Sequence, residues 1–357
     1  MSGLIRAVID NHALRHNLSV IRARAGARVI AVVKANAYGH GLVGTALALG
    51  DADALAVARL EEALALRSAG IGARIVLLEG VFSAAELAEA EHERLDLVVH
   101  DALQIELLER SADPSRCALW LKIDTGMNRL GFAPHAFGAA LTRIRNLSPA
   151  PRELRLLTHL ACANERDDRT TRAQLERFRE ATRGLGHEVS IANSAGIFGA
   201  VPLGCHWVRP GLALYGASPF ADCSAESLGL RPVMTLVSSV IALRRVARGE
   251  SVGYGGAWMA PRDSHIAIVA AGYGDGLHRS VDQGAAVLVN GARAPLSGRV
   301  SMDMLAVDVS ALDGVRIGTR VVLWGEGLPV EEAARHAGTI AYELLCSVSP
   351  RVPLERR

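Results

Sequence analysis

The chain is poor in the cysteine patterns that would mark a metal centre or a disulfide framework. Its five cysteines, Cys117, Cys162, Cys205, Cys223 and Cys346, are odd in number, scattered, and never spaced as C-x-x-C. That argues for free, mostly buried thiols and against a zinc site. No apolar run approaches the roughly 18 residues that cross a membrane. The opening "MSGLIRAVIDNHALRHN" has no apolar stretch before its first acid and histidine. No signal peptide is therefore expected, and a reducing cytoplasm is the expected compartment. Basic runs are missing as well: the net charge is +2 with the signs mixed along the chain. That argues against nucleic acid as the main partner. No internal repeat or low-complexity tract stands out.

The 357 residues are half hydrophobic and 21% charged, enough for a large core and a prior of two domains. Through the first two-thirds, short β-branched runs alternate with longer helical patterns. The expected strands are 28–34, 54–57, 74–78, 95–99, 117–123, 154–159, 188–193 and 206–209. Amphipathic segments lie between them, including 59–70 and 169–186, with Gly70 and Gly186 expected as helix C-terminal glycines. Eight strands separated by helices predict a (β/α)8 barrel. An open doubly wound sheet usually carries a glycine-rich phosphate turn after its first strand. Here "KANAYGHG" follows instead, with no G-x-G-x-x-G and no Walker A. After "SPFADCSAESLG" the pattern becomes β-rich, with strand-like runs at 233–243, 265–271, 285–290, 304–309 and 320–324. The expected division is 1–228 for an α/β barrel and 229–357 for a β domain. The extreme N-terminus, to about residue 9, is a candidate to pair with the second domain.

A barrel of this kind gathers its chemistry at the C-terminal ends of its strands. Lys34, Lys122, Asp124, Arg129, His159, Asn193, Ser194 and Arg209 all fall there. Singly, each is more often structural: a hydrogen-bonded histidine, a paired arginine. Together they put two lysines, two arginines and a histidine on one ring edge, and one structural excuse does not cover them. Lys34 follows the apolar "AVV". A lysine against apolar walls is easier to deprotonate and can condense with an aldehyde. A lysine that snorkels to solvent is an equal alternative on position alone.

The motifs resemble those of the alanine racemase family. "AVVKANAYGHG" is similar to the family's pyridoxal 5'-phosphate (PLP) stretch. "KIDTGMNRLGF", "LTHLA", "NSAG", "RPGLALYG", "VGYGGAW", "AAGYGDG", "GRVSMDM" and "YELLCSVSPRVP" follow in the family's order. The resemblance spans essentially the whole chain. It implies a PLP-binding barrel followed by a β domain, and a homodimer with shared active sites. Residue by residue, it implies that Lys34 carries PLP as a Schiff base and is one catalytic base. Tyr254, from the partner subunit, is the other. Arg209 contacts the pyridine nitrogen, with His159 beside the ring. Tyr38, Ser194, Gly211, Leu212 and Tyr342 surround the phosphate. Arg129 meets the phenolic oxygen and the substrate carboxylate. Tyr273, Met302 and Asp303, again from the partner, line the entrance and substrate pocket. Lys122 matches a lysine carbamylated in some members. One departure is visible: where the family often continues "GYGDG" with Tyr-Pro-Arg, this chain has Leu277-His278-Arg279, which bears on the entrance corridor.

Racemisation removes a proton from one face of the α-carbon and returns one on the other. Lys34 and Tyr254 suit two opposed bases. A basic amino-acid decarboxylase would carry a glycine-rich and Glu-Pro-Gly-Arg phosphate motif, and neither is found. A PLP-binding barrel of cofactor homeostasis would lack the second domain. A racemase of serine or lysine is the nearer alternative. A pocket bounded by Tyr254, Tyr273 and Met302 is expected to favour alanine, although one methylene changes discrimination by only about 1–3 kcal/mol.

Overall fold

The computed structural model of the chain describes residues 4–165 and 167–357. Residues 1–3, at the start of the expected first domain, lie outside the described residues. Strand β1 (Arg6–Ile9) is followed by the barrel strands β2 (Arg28–Val32), β3 (Ala54–Val57), β4 (Ile75–Leu77), β5 (Asp96–Val99), β6 (Ala118–Lys122), β7 (Glu153–Leu157), β8 (Val189–Asn193) and β9 (Trp207–Arg209). These eight are parallel and close on themselves, β2 pairing with both β3 and β9. All eight expected barrel strands are present. β3, β4, β5 and β6 are buried along their whole length. That is why they read as unbroken apolar runs: parallel strands are covered on both faces.

Helices wrap the outside. The helix Arg169–Ala181 buries Thr171, Gln174, Leu175 and Phe178 at helical spacing. It stops earlier than expected. Gly184 weakens the next turn, so Gly186 lies beyond the helix, in the connection that follows. Gly70 does follow the end of its helix, with φ +79° and its N–H on Arg67 O.

The remaining strands are β10 (Met234–Val246), β11 (Ser251–Val252), β12 (Trp258–Met259), β13 (Ser264–Val269), β14 (Ala286–Val289), β15 (Ala292–Pro295), β16 (Leu305–Asp308), β17 (Arg320–Trp324) and β18 (Leu354–Arg356). β11 and β12 pair only with each other; the rest join β1 in a sheet ordered β15-β14-β17-β10-β1-β18, with β13 on β10 and β16 on β13. β1 runs antiparallel to β10 (Ile9 opposite Met234) and parallel to β18 (Ile9 opposite Arg356). The first strand of the chain thus lies between two of the last elements. This ties the barrel's entry to the chain's exit.

The N-terminal end of the barrel is closed by charge. Arg74 bonds Glu153 at 2.8 Å and Asp96 at 3.2 Å, Arg152 reaches Asp96 at 3.0 Å, and Arg155 reaches Glu188 at 2.8 Å. Trp120 and Trp207 donate their indole N–H to Asp96 and Glu188 at 3.1 and 2.9 Å. Arg155 lies 5.1 Å from the centre of each indole ring. The Arg74 hydrogen bond leads in drawing the Glu153 carboxyl from its ordinary 4.5 down to about 2.

Candidate active site

The first barrel strand ends at Val32, and Val33 still donates to Ala56 O of β3. Lys34 then opens a turn of unusual hand. Ala35, Asn36, Ala37 and Tyr38 have φ of 52° to 54°, and Gly39 has φ +79°. A left-handed run costs L residues roughly 1–2 kcal/mol each. Its backbone bonds are Ala37 N–H to Val33 O at 2.8 Å, Gly39 N–H to Ala35 O at 3.2 Å and Gly41 N–H to Asn36 O at 3.0 Å. Lys34 is left half-buried, and Tyr38 is folded back inside. The Tyr38 ring stacks on Tyr215 at 4.7 Å and lies 5.8 Å from Tyr342. Tyr215 is itself fixed by its hydroxyl, which donates to Val32 O at 2.9 Å. Gly39 is required sterically: a Cβ there would lie 2.2 Å from Leu345 O, in the helix Ala341–Cys346 that carries Tyr342.

Two hydroxyl residues, Tyr38 and Ser194, meet Gly211 at this edge, with Tyr342 beside Tyr38. Asn193 closes β8 and accepts the Gly196 N–H at 2.9 Å, which starts the short helix after it. Ser194 Oγ, at the head of that helix, accepts the N–H of Gly211 and Ala213 at 3.0 and 3.2 Å. Gly211 and Leu212 follow Arg209 and enter the 3-10 turn Leu212–Tyr215. A Cβ on Gly211 would stand 2.4 Å from the Tyr38 hydroxyl. Burial raises the hydroxyl pKa of both Tyr38 and Tyr342. Both therefore stay neutral donors at ordinary pH.

Cations gather beside this cradle. Arg209, buried at the end of β9, donates to Ser190 Oγ and Thr158 O at 2.6 Å each, and to His159 Nδ1 at 3.3 Å. Its Nε–H has no protein acceptor among the described residues. Burial lowers the guanidinium to about 10, so it remains charged at neutral pH. Burial first, then the charges of Arg209, Arg129, Lys122 and Lys34, hold His159 down to about 2. His159 is thus a neutral imidazole whose Nδ1 accepts and whose Nε2 bears the proton. Lys122, buried at the end of β6, is lowered to about 8 by burial, then by Arg209 and Arg129, with Asp124 opposing. Asp124, an acid just beyond β6, is already engaged. Its Oδ1 accepts from Gly126, Met127 and Asn128 N–H at 2.8, 3.0 and 3.1 Å, and its Oδ2 from Arg129 N–H at 3.0 Å. The carboxylate shapes the loop that presents Arg129. Lys34, Lys122, Arg129 and Arg209 form no ion pair with a described residue.

One chain therefore brings together Lys34, Tyr38, Lys122, Arg129, His159, Ser194, Arg209, Gly211, Leu212 and Tyr342. It does not bring Tyr254, Tyr273, Met302 and Asp303 to them. These four stand on the β domain. Tyr254 is 66% exposed and has no hydrogen bond or ring contact with a described residue. Tyr273 and Met302 are exposed too. Asp303 pairs with Arg351 at 2.9 Å. Leu277 and His278 line a small apolar cavity inside the β domain together with Val281, Trp324 and His336. Sequence reasoning passed over Glu62, whose Oε1 accepts the Ala35 N–H at 2.6 Å beside Lys34, and Tyr215. Glu62 was legible only as the third residue of a helix start; Tyr215 lay unremarked inside "RPGLALYG".

The chain is similar to known proteins over nearly its whole length. Residues 9–219 match the family model of the alanine racemase N-terminal domain, and residues 233–356 that of the C-terminal domain. An alanine racemase of Shewanella sediminis is 46% identical over 97% of both chains. The crystal structure of the biosynthetic alanine racemase from Pseudomonas aeruginosa superposes with a TM-score of 0.96, at 48% identity and full coverage of both chains. The alanine racemase structure from Acinetobacter baumannii gives 0.94, at 38% identity and 99% coverage of each. With both family models matched in order over nearly the full chain and the closed barrel and β domain superposed, the chain belongs to the alanine racemase family.

Proposed function

We propose that the chain interconverts L- and D-alanine with PLP, as a homodimer in which each barrel mouth is completed by the partner's β domain. The residues present fit this cofactor. Phosphate suits neutral hydroxyl donors, and Tyr38, Ser194 and Tyr342 supply them near the Gly211 turn, where a Cβ would meet the Tyr38 hydroxyl at 2.4 Å. An anionic cofactor and an anionic substrate suit four cations without ion-pair partners. When bound, PLP supplies the electron sink that makes an amino acid's α-proton removable.

The chain's own groups do the rest. Lys34 Nζ anchors the cofactor and trades a proton on one face of the α-carbon. Tyr254 of the partner subunit trades the proton on the other face. Arg209 keeps its own proton, and its Nε–H would be the group that holds the cofactor's ring nitrogen. His159, neutral, flanks it. Arg129, on the loop shaped by Asp124, orients the substrate carboxylate. Lys122, with a neutral fraction above about pH 8, is the carbamylation candidate, and a carbamate there would steady Arg129. Tyr273, Met302 and Asp303 of the partner subunit narrow the pocket to a small side chain.

The observation that carries the reading is the unpaired cation cluster around Lys34, beside the hydroxyl cradle. Incubating the purified protein and PLP with single L-amino acids, followed by chiral analysis, tests it. Alanine should racemise fastest. Faster turnover of serine or lysine would transfer the assignment to the broader racemase alternative. Carbon dioxide release would replace racemisation altogether.

A further inference from the structure

The lysine turn has to be held against its own preference. Ala35 to Tyr38 are four successive non-glycine residues with φ of 52° to 54°, a conformation that persists only where surroundings impose it. Side chains from two distant parts of the chain grip its ends. At the front, Glu62 Oε1 accepts the Ala35 N–H at 2.6 Å, and its Oε2 accepts the N–H of Ala58 and Arg59 at 3.0 and 3.2 Å. One carboxylate thereby joins the exits of β2 and β3. At the back, Arg356 of β18 donates to His40 O, Gly41 O and Thr45 Oγ1 at 2.5, 3.0 and 3.1 Å, and to Asn11 Oδ1 at 3.0 Å. Gly44 makes room for it, since a Cβ there would lie 2.2 Å from Arg356 Nε. Between the grips, buried His40 points Nδ1 at the carbonyls of Ala37 and Tyr38, at 3.0 and 2.8 Å. Both partners are acceptors, so that nitrogen bears the proton.

We infer that Glu62 and Arg356 are positioning residues for Lys34, acting through the left-handed turn and not by touching cofactor or substrate. The inference rests on Lys34 being the cofactor's anchor. Lys34 opens the turn and Tyr38 ends it, so the turn sets the spacing between the amine and the phosphate-facing hydroxyl. Without Glu62, Ala35 is free to return to negative φ, and that spacing is lost. Arg356 belongs to the strand that pairs with β1. The fold of the second domain thereby reaches the lysine.

The test uses glycine, which adopts positive φ without strain. Ala35 is exposed, so Ala35→Gly empties no core. PLP affinity is read by titrating apoprotein and following visible absorption, with kcat and KM for alanine read in parallel. Glu62→Ala should weaken PLP binding by about tenfold, the scale of one hydrogen bond to a charged group, and lower kcat at an unchanged KM. Ala35→Gly alone should stay near wild type, and Glu62→Ala with Ala35→Gly should recover most of the loss. Arg356→Lys, which keeps the charge but not the fork, should weaken PLP several-fold. If Glu62→Ala does not fold, Glu62→Met, which keeps the length without the carboxylate acceptors, with and without Ala35→Gly gives the same contrast. Wild-type PLP binding in the Glu62 variants, or no recovery with glycine, overturns the inference. Lys34→Ala serves as the control. Retained visible absorption in it would instead overturn the anchor role of Lys34.

Discussion

The two ends of the barrel carry similar numbers of cations and treat them in opposite ways. At the N-terminal end, Arg28, Arg74, Arg152 and Arg155 meet Asp96, Glu153 and Glu188, and every one of the four is paired. At the mouth, Lys34, Lys122, Arg129 and Arg209 form no ion pair with a described residue, and the oxygens of the nearby Asp124 and Glu62 are occupied by backbone N–H groups. Lys122 and Arg209 are buried there, and buried charge left unpaired is destabilising. A fold retains such an arrangement where an anion is to be bound. The closed end is therefore a clasp, and under the proposed function the open end is a receptor for a phosphate and a carboxylate. Residue type does not distinguish the ends; pairing does.

The contrast is sharpest when one residue at each end is changed. Lys34→Ala should abolish racemisation, by about a thousandfold or more as for loss of a general base, and remove the visible absorption of bound PLP. Glu153→Gln should leave kcat essentially unchanged. Reversal of the two results would break the division into receptor and clasp. The next largest effect concerns what the mouth lacks. Lys34→Ala and Tyr254→Phe homodimers should each be nearly inactive. Refolded together in equal amounts, they should regain about a quarter of wild-type activity, because half the dimers then hold one intact site. A mixture as inactive as its parents would place Tyr254 in its own chain's site.

At the closed end the effect is on stability. Glu153→Gln removes one partner of a half-exposed network and should cost about 1–2 kcal/mol at neutral pH. Because the folded Glu153 pKa lies below its ordinary value, its contribution is complete above 4.5 and lost as pH falls through about 2. The difference in Tm between wild type and Glu153→Gln should therefore shrink steadily below pH 4.5; a constant gap would mean that the ion pair is not its source. The smallest effect belongs to Lys122. With 13C-labelled bicarbonate, a carbamate resonance is expected that disappears in Lys122→Ala, with KM for alanine raised a few-fold. Its absence from the wild type would remove the carbamate from the mouth.

Much of this was legible in the linear order of residues. The eight barrel strands are buried on both faces and so appear as short apolar runs. The chemistry-bearing residues appear at their C-terminal ends because a parallel barrel collects its loops there. Glu62, Tyr215 and Arg356 were not legible. Each acts over a separation in sequence, Arg356 on His40 across 316 positions, and nothing local marks a side chain whose partner is a distant backbone N–H or carbonyl. The hand of the turn after Lys34 was hidden for a related reason. Alanine, asparagine and tyrosine have no local tendency to follow one another at positive φ. Gly39 and Gly41 marked a turn and not its sense.

By itself, the sequence determined the class of fold, the eight strands and the group of residues that share the barrel's mouth, because burial and strand periodicity are properties of short segments. Only the tertiary structure decided which cations are paired and which are left for a ligand, that Tyr254 stands away from its own chain's lysine, and that the lysine turn is left-handed. Those depend on the distances between charges, and on clamps that come from far along the chain, and both exist only once it has folded.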